Sequence, residues 1–175
     1  MSNDEGGAES FEKVYQTVYP ILIRVTYHIT GDLAIAEDLC QEAFIRYYQR
    51  EAPFPNLDQA KYWLIRVVKN LAFNHEKRKG RERRAHDRVL KEPQREVESG
   101  ETEVIRKETY EIVKSALYKL PYKLRTVLVL REYGGLNYKE IAAILKITEG
   151  NVKVRVFRAR EQLSKLIDEE EVYVS

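Results

Sequence analysis

At 175 residues, with 43% hydrophobic and 33% charged residues, the chain has the composition of a globular protein rich in surface helices, which argues against global disorder. Its length allows one domain or two small ones. A single cysteine, Cys40, excludes an intramolecular disulfide, and no apolar run approaches the roughly 20 residues needed to span a bilayer.

The net charge of +2 conceals a strong segregation. Lys61 to Lys91 holds eleven Lys/Arg against three Asp/Glu, and Glu92 to Glu111 reverses this with seven acids against three bases. Met1 to Glu12 carries four acids, lacks an apolar core and does not resemble a signal peptide, so a cytoplasmic protein is expected, without membrane insertion. A second acidic run, Asp168 to Glu171, lies near the other end and reads as solvated. Such blocks imply a polyanion-facing surface flanked by segments that stay in water or meet a basic partner.

In chain order, Phe11, Val14, Tyr15, Val18, Leu22, Val25 and Ile29 recur at helical steps, with Ser10 as a starting cap and Pro20 expected to kink or break the helix. Gly31 ends it. Asp32 caps a second helix whose Leu33, Ala36, Leu39, Ala43 and either Tyr47 or Tyr48 face inward. Glu51 to Gln59, EAPFPNLDQ, reads as an irregular loop. Trp63, Leu64, Val67, Val68, Leu71 and Phe73 then define a third helix, strongly basic from Lys77 onward.

These elements form a first domain, residues 8–85. Residues 86–103, with Pro93, Ser99 and Gly100 and few large apolar side chains, form a charged linker, and residues 104–169 a second domain. There Ile105, Ile112, Val113, Ala116 and Leu117 restore the helical period. Thr126 to Tyr133, TVLVLREY, has strand propensity but continues the helical spacing from Pro121, and an isolated strand would have no partner. The expected fold class is therefore all-α, two small helical domains.

Gly134 and Gly135 close that helix. Asn137 with Glu140 makes a capping-box pattern, Ile141, Ala142 and Leu145 supply a buried face, Ile147 fills a turn and Thr148 caps the next helix. On this last helix Val152, Val156, Ala159 and Leu163 share one stripe. The other side presents Asn151, Lys153, Val154, Arg155, Phe157, Arg158 and Arg160, a basic face with two apolar residues that suits a major groove.

Gly135 to Leu163, GLNYKEIAAILKITEGNVKVRVFRAREQL, resembles the promoter minus-thirty-five-binding helix-turn-helix of bacterial extracytoplasmic-function (ECF) sigma factors, group IV of the sigma-70 family. Ala36 to Tyr48, AEDLCQEAFIRYY, resembles the family's helix that docks on core RNA polymerase, and Lys61 to Arg81, KYWLIRVVKNLAFNHEKRKGR, its minus-ten-binding helix. The likeness covers nearly the whole chain in order, and it implies that the first domain is sigma region 2 and the second sigma region 4. It assigns Asp38, Gln41 and Glu42 to polymerase, and Arg66, Lys69, Asn70, Asn74, Lys77 and Arg78 to minus-ten DNA. Phe54 and Asn56 fall in the loop that captures a flipped base, and Trp63 is shared between core and contact readings. Asn151, Lys153, Val154, Arg155, Phe157, Arg158 and Arg160 fall to minus-thirty-five DNA. The sequence departs from the family at Val154, often a small polar residue, and at Lys146, usually glycine. If that turn needs a positive φ, a lysine costs on the order of 1 kcal/mol there.

The resemblance implies core RNA polymerase, promoter DNA and an anti-sigma factor as partners. No cofactor and no metal are expected: His28, His75 and His86 are not at ligand spacing with Cys40, and no catalytic constellation is present. Two other readings stay open: a repressor or activator with a helical dimerisation domain, and a helical adaptor that binds an acidic partner. Neither requires the Asp38, Gln41, Glu42 face or a second basic helix after a proline loop.

Overall fold

The computed structural model describes residues 10–85 and 104–174. Among them are seven helices and no strand: α1 (Phe11–Thr30), α2 (Leu33–Tyr48), α3 (Leu57–Ala85), α4 (Val104–Lys119), α5 (Tyr122–Glu132), α6 (Tyr138–Leu145) and α7 (Glu149–Val174). They gather into two compact units, α1 to α3 and α4 to α7. The expected linker, residues 86–103, lies outside the described residues. No described helix is long and apolar enough to cross a membrane.

In the first unit, Ser10 Oγ accepts the Lys13 N–H at 3.3 Å to start α1. Gly31 closes it at φ 73°, donating its N–H to the Tyr27 carbonyl, a conformation glycine adopts without a Cβ penalty. Pro20 does not break the helix. It lies on the exposed side, where water can take the place of the missing backbone partner. Asp32 Oδ1 accepts from the Ile35 N–H at 3.1 Å and starts α2.

Val14, Val18, Leu22, Val25 and Ile29 of α1 meet Ala36, Cys40, Ala43 and Phe44 of α2 and Leu64, Ile65 and Val68 of α3, all buried. Each large aliphatic side chain removed from water in this way contributes roughly 1.5–3 kcal/mol before conformational entropy is counted. The stripes mark this core correctly at their centres and fail at their edges. Leu33 is exposed, Tyr47 is the inward tyrosine and Tyr48 the outward one, and Phe11 and Tyr15 are each about two-fifths exposed. On α3, Ile65 and Ala72 are buried, whereas Trp63 and Val67 are half-buried and Phe73 is exposed. Period gives the direction of a side chain, but the neighbouring helix decides whether anything covers it.

In the second unit α7 packs against α4, α5 and α6. The strand-like run is helical, and Arg125 to Leu130 are buried on every side of α5. A helix covered all round reads as a continuous apolar run, which is why its propensity misleads. Pro121 is its N-cap. Gly134 follows α5 where a Cβ would stand 2.7 Å from the Leu130 carbonyl oxygen, so no larger residue fits. Arg125 is buried too, its Nη1 donating to the Tyr118 carbonyl at 2.7 Å and its guanidinium lying over the Tyr118 ring.

The second acidic run is solvated only in part: Asp168 and Glu169 are exposed, whereas Glu170 is half-buried. α7 continues through it, and Glu170 Oε1 accepts from Lys119 Nζ at 2.6 Å and Ser115 Oγ at 3.0 Å, both on α4. The Lys119 hydrogen bond leads in holding the Glu170 carboxyl below the usual carboxylate range.

Candidate nucleic-acid interface

The helix-turn-helix is α6, a turn and α7. The capping box is complete: Asn137 Oδ1 accepts from the Glu140 N–H at 2.8 Å, and Glu140 Oε1 accepts from the Asn137 N–H at 3.1 Å. Ile141, Ala142 and Ile144 are buried, while Leu145, expected inward, is only half-buried. The helix ends at Lys146, which adopts φ 56° and ψ 47°, the positive φ at which a lysine is costlier than glycine. Thr148 Oγ1 accepts from the Asn151 N–H at 3.1 Å and starts α7.

Val152, Val156 and Ala159 of α7 are buried and Leu163 is half-buried, as the stripe requires. Opposite them Asn151, Lys153, Arg158 and Arg160 are exposed and Arg155 is half-buried. Val154 is 45% and Phe157 70% exposed. Two apolar side chains therefore stand in water among four bases, an arrangement that gains once a thymine methyl and phosphates cover it. Arg160 already has a partner, its Nη2 donating to Glu132 Oε1 of α5 at 2.8 Å, which raises the guanidinium pKa further.

On α2, Asp38, Gln41 and Glu42 are all exposed on one face, opposite buried Ala36, Cys40 and Ala43. On α3, Arg66, Asn70, Asn74, Lys77 and Arg78 are exposed and Lys69 is half-buried. Lys69 Nζ and Lys77 Nζ lie 5.4 and 4.7 Å from the centroid of Phe73, so an exposed aromatic ring separates two of the bases. The two faces meet in an open groove of about 550 Å³ lined by Glu42 and Arg46 from α2 and Asn74, Lys77, Arg78 and Arg81 from α3, over Leu39 and Leu71. Arg46 and Arg81 escape the sequence reading because each passes for a solvated helix charge. Arg46 is held there by Glu42, 2.6 Å away.

The loop before α3 is more built than its composition suggests. Asn56 Oδ1 accepts from the Gln59 N–H at 2.9 Å, so Asn56 caps α3 as well as standing in solvent. Phe54 is half-buried, with its ring 6.0 Å from Trp63 and 6.1 Å from Tyr47, and the Arg50 guanidinium lies 4.2 Å over it. Trp63 joins this cluster, half-buried at the edge of the core.

Residues 14–82 match the family model for sigma-70 region 2, and residues 110–163 that for sigma-70 region 4. Together they span more than half of the chain, which belongs to the sigma-70 family. RNA polymerase sigma-H factor of Pseudomonas aeruginosa is 36% identical over 93% of this chain and 88% of its own length. The ECF RNA polymerase sigma-E factor of Escherichia coli K12 is 35% identical over 81% of this chain and 76% of its own. The sigma factor RpoE from Bartonella quintana, solved with the anti-sigma factor NepR, shares the fold at a TM-score of 0.69 and 24% identity, over 90% of this chain and 96% of that one. CnrH, solved with the cytosolic domain of CnrY, shares it at 0.64 and 24% identity, over 91% of this chain and 88% of that one. Within the family the chain is an ECF sigma factor: it works through core RNA polymerase in promoter-directed transcription initiation.

Proposed function

We propose that the two units divide this work, residues 8–85 holding polymerase and opened minus-ten DNA and residues 104–169 reading the minus-thirty-five duplex. The observation that carries the reading is the groove between α2 and α3, where Glu42 of the polymerase face and Asn74, Lys77 and Arg78 of the DNA face line one surface. Asp38, Gln41 and Glu42 grip polymerase. Arg66, Lys69, Lys77 and Arg78 hold phosphates, and Asn70 and Asn74, one turn apart, meet DNA edges. A flipped base is taken by Phe54 and Asn56, competing with Arg50 for the face of the ring.

In the second unit Lys153, Arg155, Arg158 and Arg160 reach guanine edges and phosphates, Val154 and Phe157 cover apolar base edges, and Asn151 lies at the helix start. Each unit alone binds weakly, and tethering raises the effective concentration of the second contact. Melting is driven by stacking, base capture and counterion release, and the chain itself catalyses nothing. The protein works in the cytoplasm. An anti-sigma factor would hold it inactive, as the partners of RpoE and CnrH in their complexes suggest.

A gel shift of labelled promoter DNA with the chain alone, core polymerase alone and both tests this division. A specific complex only when both are present is the expected result. Tight specific binding by the chain alone, together with DNA-independent dimerisation, would instead mark a free-standing regulator.

A further inference from the structure

A chain of aromatic rings runs over the surface of the first unit and is only partly used by the base-capturing loop. Trp63 and Phe54 pack against Tyr47, with the Phe54 and Tyr47 rings nearly parallel at 14° and 6.1 Å. Tyr47 stands 6.1 Å from Phe11 at the start of α1, and Phe11 meets Tyr48 edge-on at 5.4 Å. The run continues along α1 through Tyr15, 6.2 Å from Phe11, to Tyr19, 5.1 Å further on, each pair stacked.

Packing does not account for all of these rings. Phe44 and Tyr47 are 3% and 8% exposed and fill the joint between α1 and α2, whereas Phe11, Tyr15 and Tyr48 remain 39%, 41% and 74% exposed. Three neighbouring aromatic side chains left in water cost solvation free energy unless something covers them.

We propose that Phe11, Tyr15 and Tyr48 form a second stacking platform, over which unpaired bases of the opened DNA strand pass after leaving the loop at Phe54. The occupant follows from chemistry on the page. The rings are continuous with the capture loop, and Arg50 lies over both Phe54 (4.2 Å) and Trp63 (5.0 Å) where the two sites join. α3, which carries Lys61, Arg66 and Lys69 along its first half, begins immediately beyond that loop. Ring faces interleaved with bases are how proteins hold single strands without reading each base, since every base offers a π-face. Tyr15 and Tyr48 add hydroxyls at the ring edges, which suits a wet, polar ligand better than a buried apolar partner.

This inference rests on the proposed placing of opened minus-ten DNA on the first unit. Its test keeps the two separable by using holoenzyme, assembled from the full chain and core polymerase, on a pre-melted promoter taken from transcripts induced by overexpression. In the probe templates, abasic sites replace the unpaired non-template bases one at a time. Phe11→Ala combined with Tyr15→Ala should shorten complex lifetime about tenfold on the intact template. The loss should shrink to about twofold when one or two particular bases beyond the captured one are abasic. Tyr15→Phe, which keeps the ring, should behave as wild type. Both positions are exposed, and an unchanged helical circular-dichroism signal confirms folding.

A lifetime loss equal on every template, or no loss at all, would overturn the platform. So would weaker binding of the double variant to core polymerase without DNA, because the face would then belong to polymerase. Phe54→Ala is the arm that reports on the underlying reading: it should couple to a different single base. If Phe54→Ala couples to none while Phe11→Ala with Tyr15→Ala couples to some, loop capture fails and the platform stands.

Discussion

Arg160 of α7 and Glu132 of α5 form a 2.8 Å ion pair that ties the DNA-facing helix to the helix preceding the helix-turn-helix. Both side chains are about half exposed, so the pair adds less than about 1 kcal/mol to stability. Its larger effect is on charge, because Glu132 neutralises a base on the face proposed to meet phosphates. Glu132→Gln should leave the thermal midpoint within a few degrees of wild type. Holoenzyme binding to promoter DNA should tighten at low salt, and the slope of log affinity against log salt should steepen by about one. Fluorescence anisotropy across a salt series reads both, and an unchanged slope would mean that Arg160 does not reach a phosphate.

Lys146 ends α6 in the left-handed region at φ 56° and ψ 47°. A side chain there crowds the adjoining carbonyl, at a cost of about 1 kcal/mol. Lys146→Gly should therefore stabilise the second unit by about that amount, seen as a higher urea midpoint at an unchanged m-value. The left-handed turn itself is what a glycine in this position would adopt, so promoter selectivity should not change.

Asp38→Ala combined with Gln41→Ala alters only exposed side chains on α2. The helical circular-dichroism signal should persist while co-purification with core polymerase falls by tenfold or more, about 1.4 kcal/mol at the least. Full co-purification would remove both residues from the polymerase face.

Cys40 is fully buried, its Sγ donating to Thr26 Oγ1 at 3.4 Å, and burial pushes the thiol pKa up to about 11. The folded state thus favours the neutral thiol. Its contribution to stability is complete below the unfolded thiol pKa and is lost as pH rises through the folded value. Between about pH 9 and 11, wild type should lose more stability than Cys40→Ala, as measured by urea midpoints at each pH. Iodoacetamide at pH 8 should label the folded chain far more slowly than the urea-unfolded one, since the thiolate is the nucleophile.

Much of the interface is legible in the residues because surface helices announce themselves. The bases of α3 and α7 lie opposite apolar stripes, and the caps at Ser10, Asp32, Asn137 and Thr148 are local hydrogen bonds written within a few positions. What could not be read depends on partners distant along the chain. Glu170 passes for a solvated acid until α4 brings Ser115 and Lys119 to it. Arg46 and Arg81 become groove residues only once α2 and α3 lie side by side. The aromatic chain is hidden for the same reason, because Phe11, Tyr48 and Phe54 come from three separate segments.

The sequence by itself determined the helices, their inner faces and the basic outer faces, since these follow from period, capping and short-range spacing, and the order of two sigma regions through the resemblance of three of its segments to a family. Tertiary structure alone decided how far each stripe is covered: Tyr47 goes in and Tyr48 stays out, and Phe11 and Tyr15 remain in water beside a buried Phe44. It also decided which charges pair across the fold, Arg160 with Glu132 and Lys119 with Glu170. A helical period fixes an angle about one axis, whereas burial and ion pairing depend on where a second helix lies.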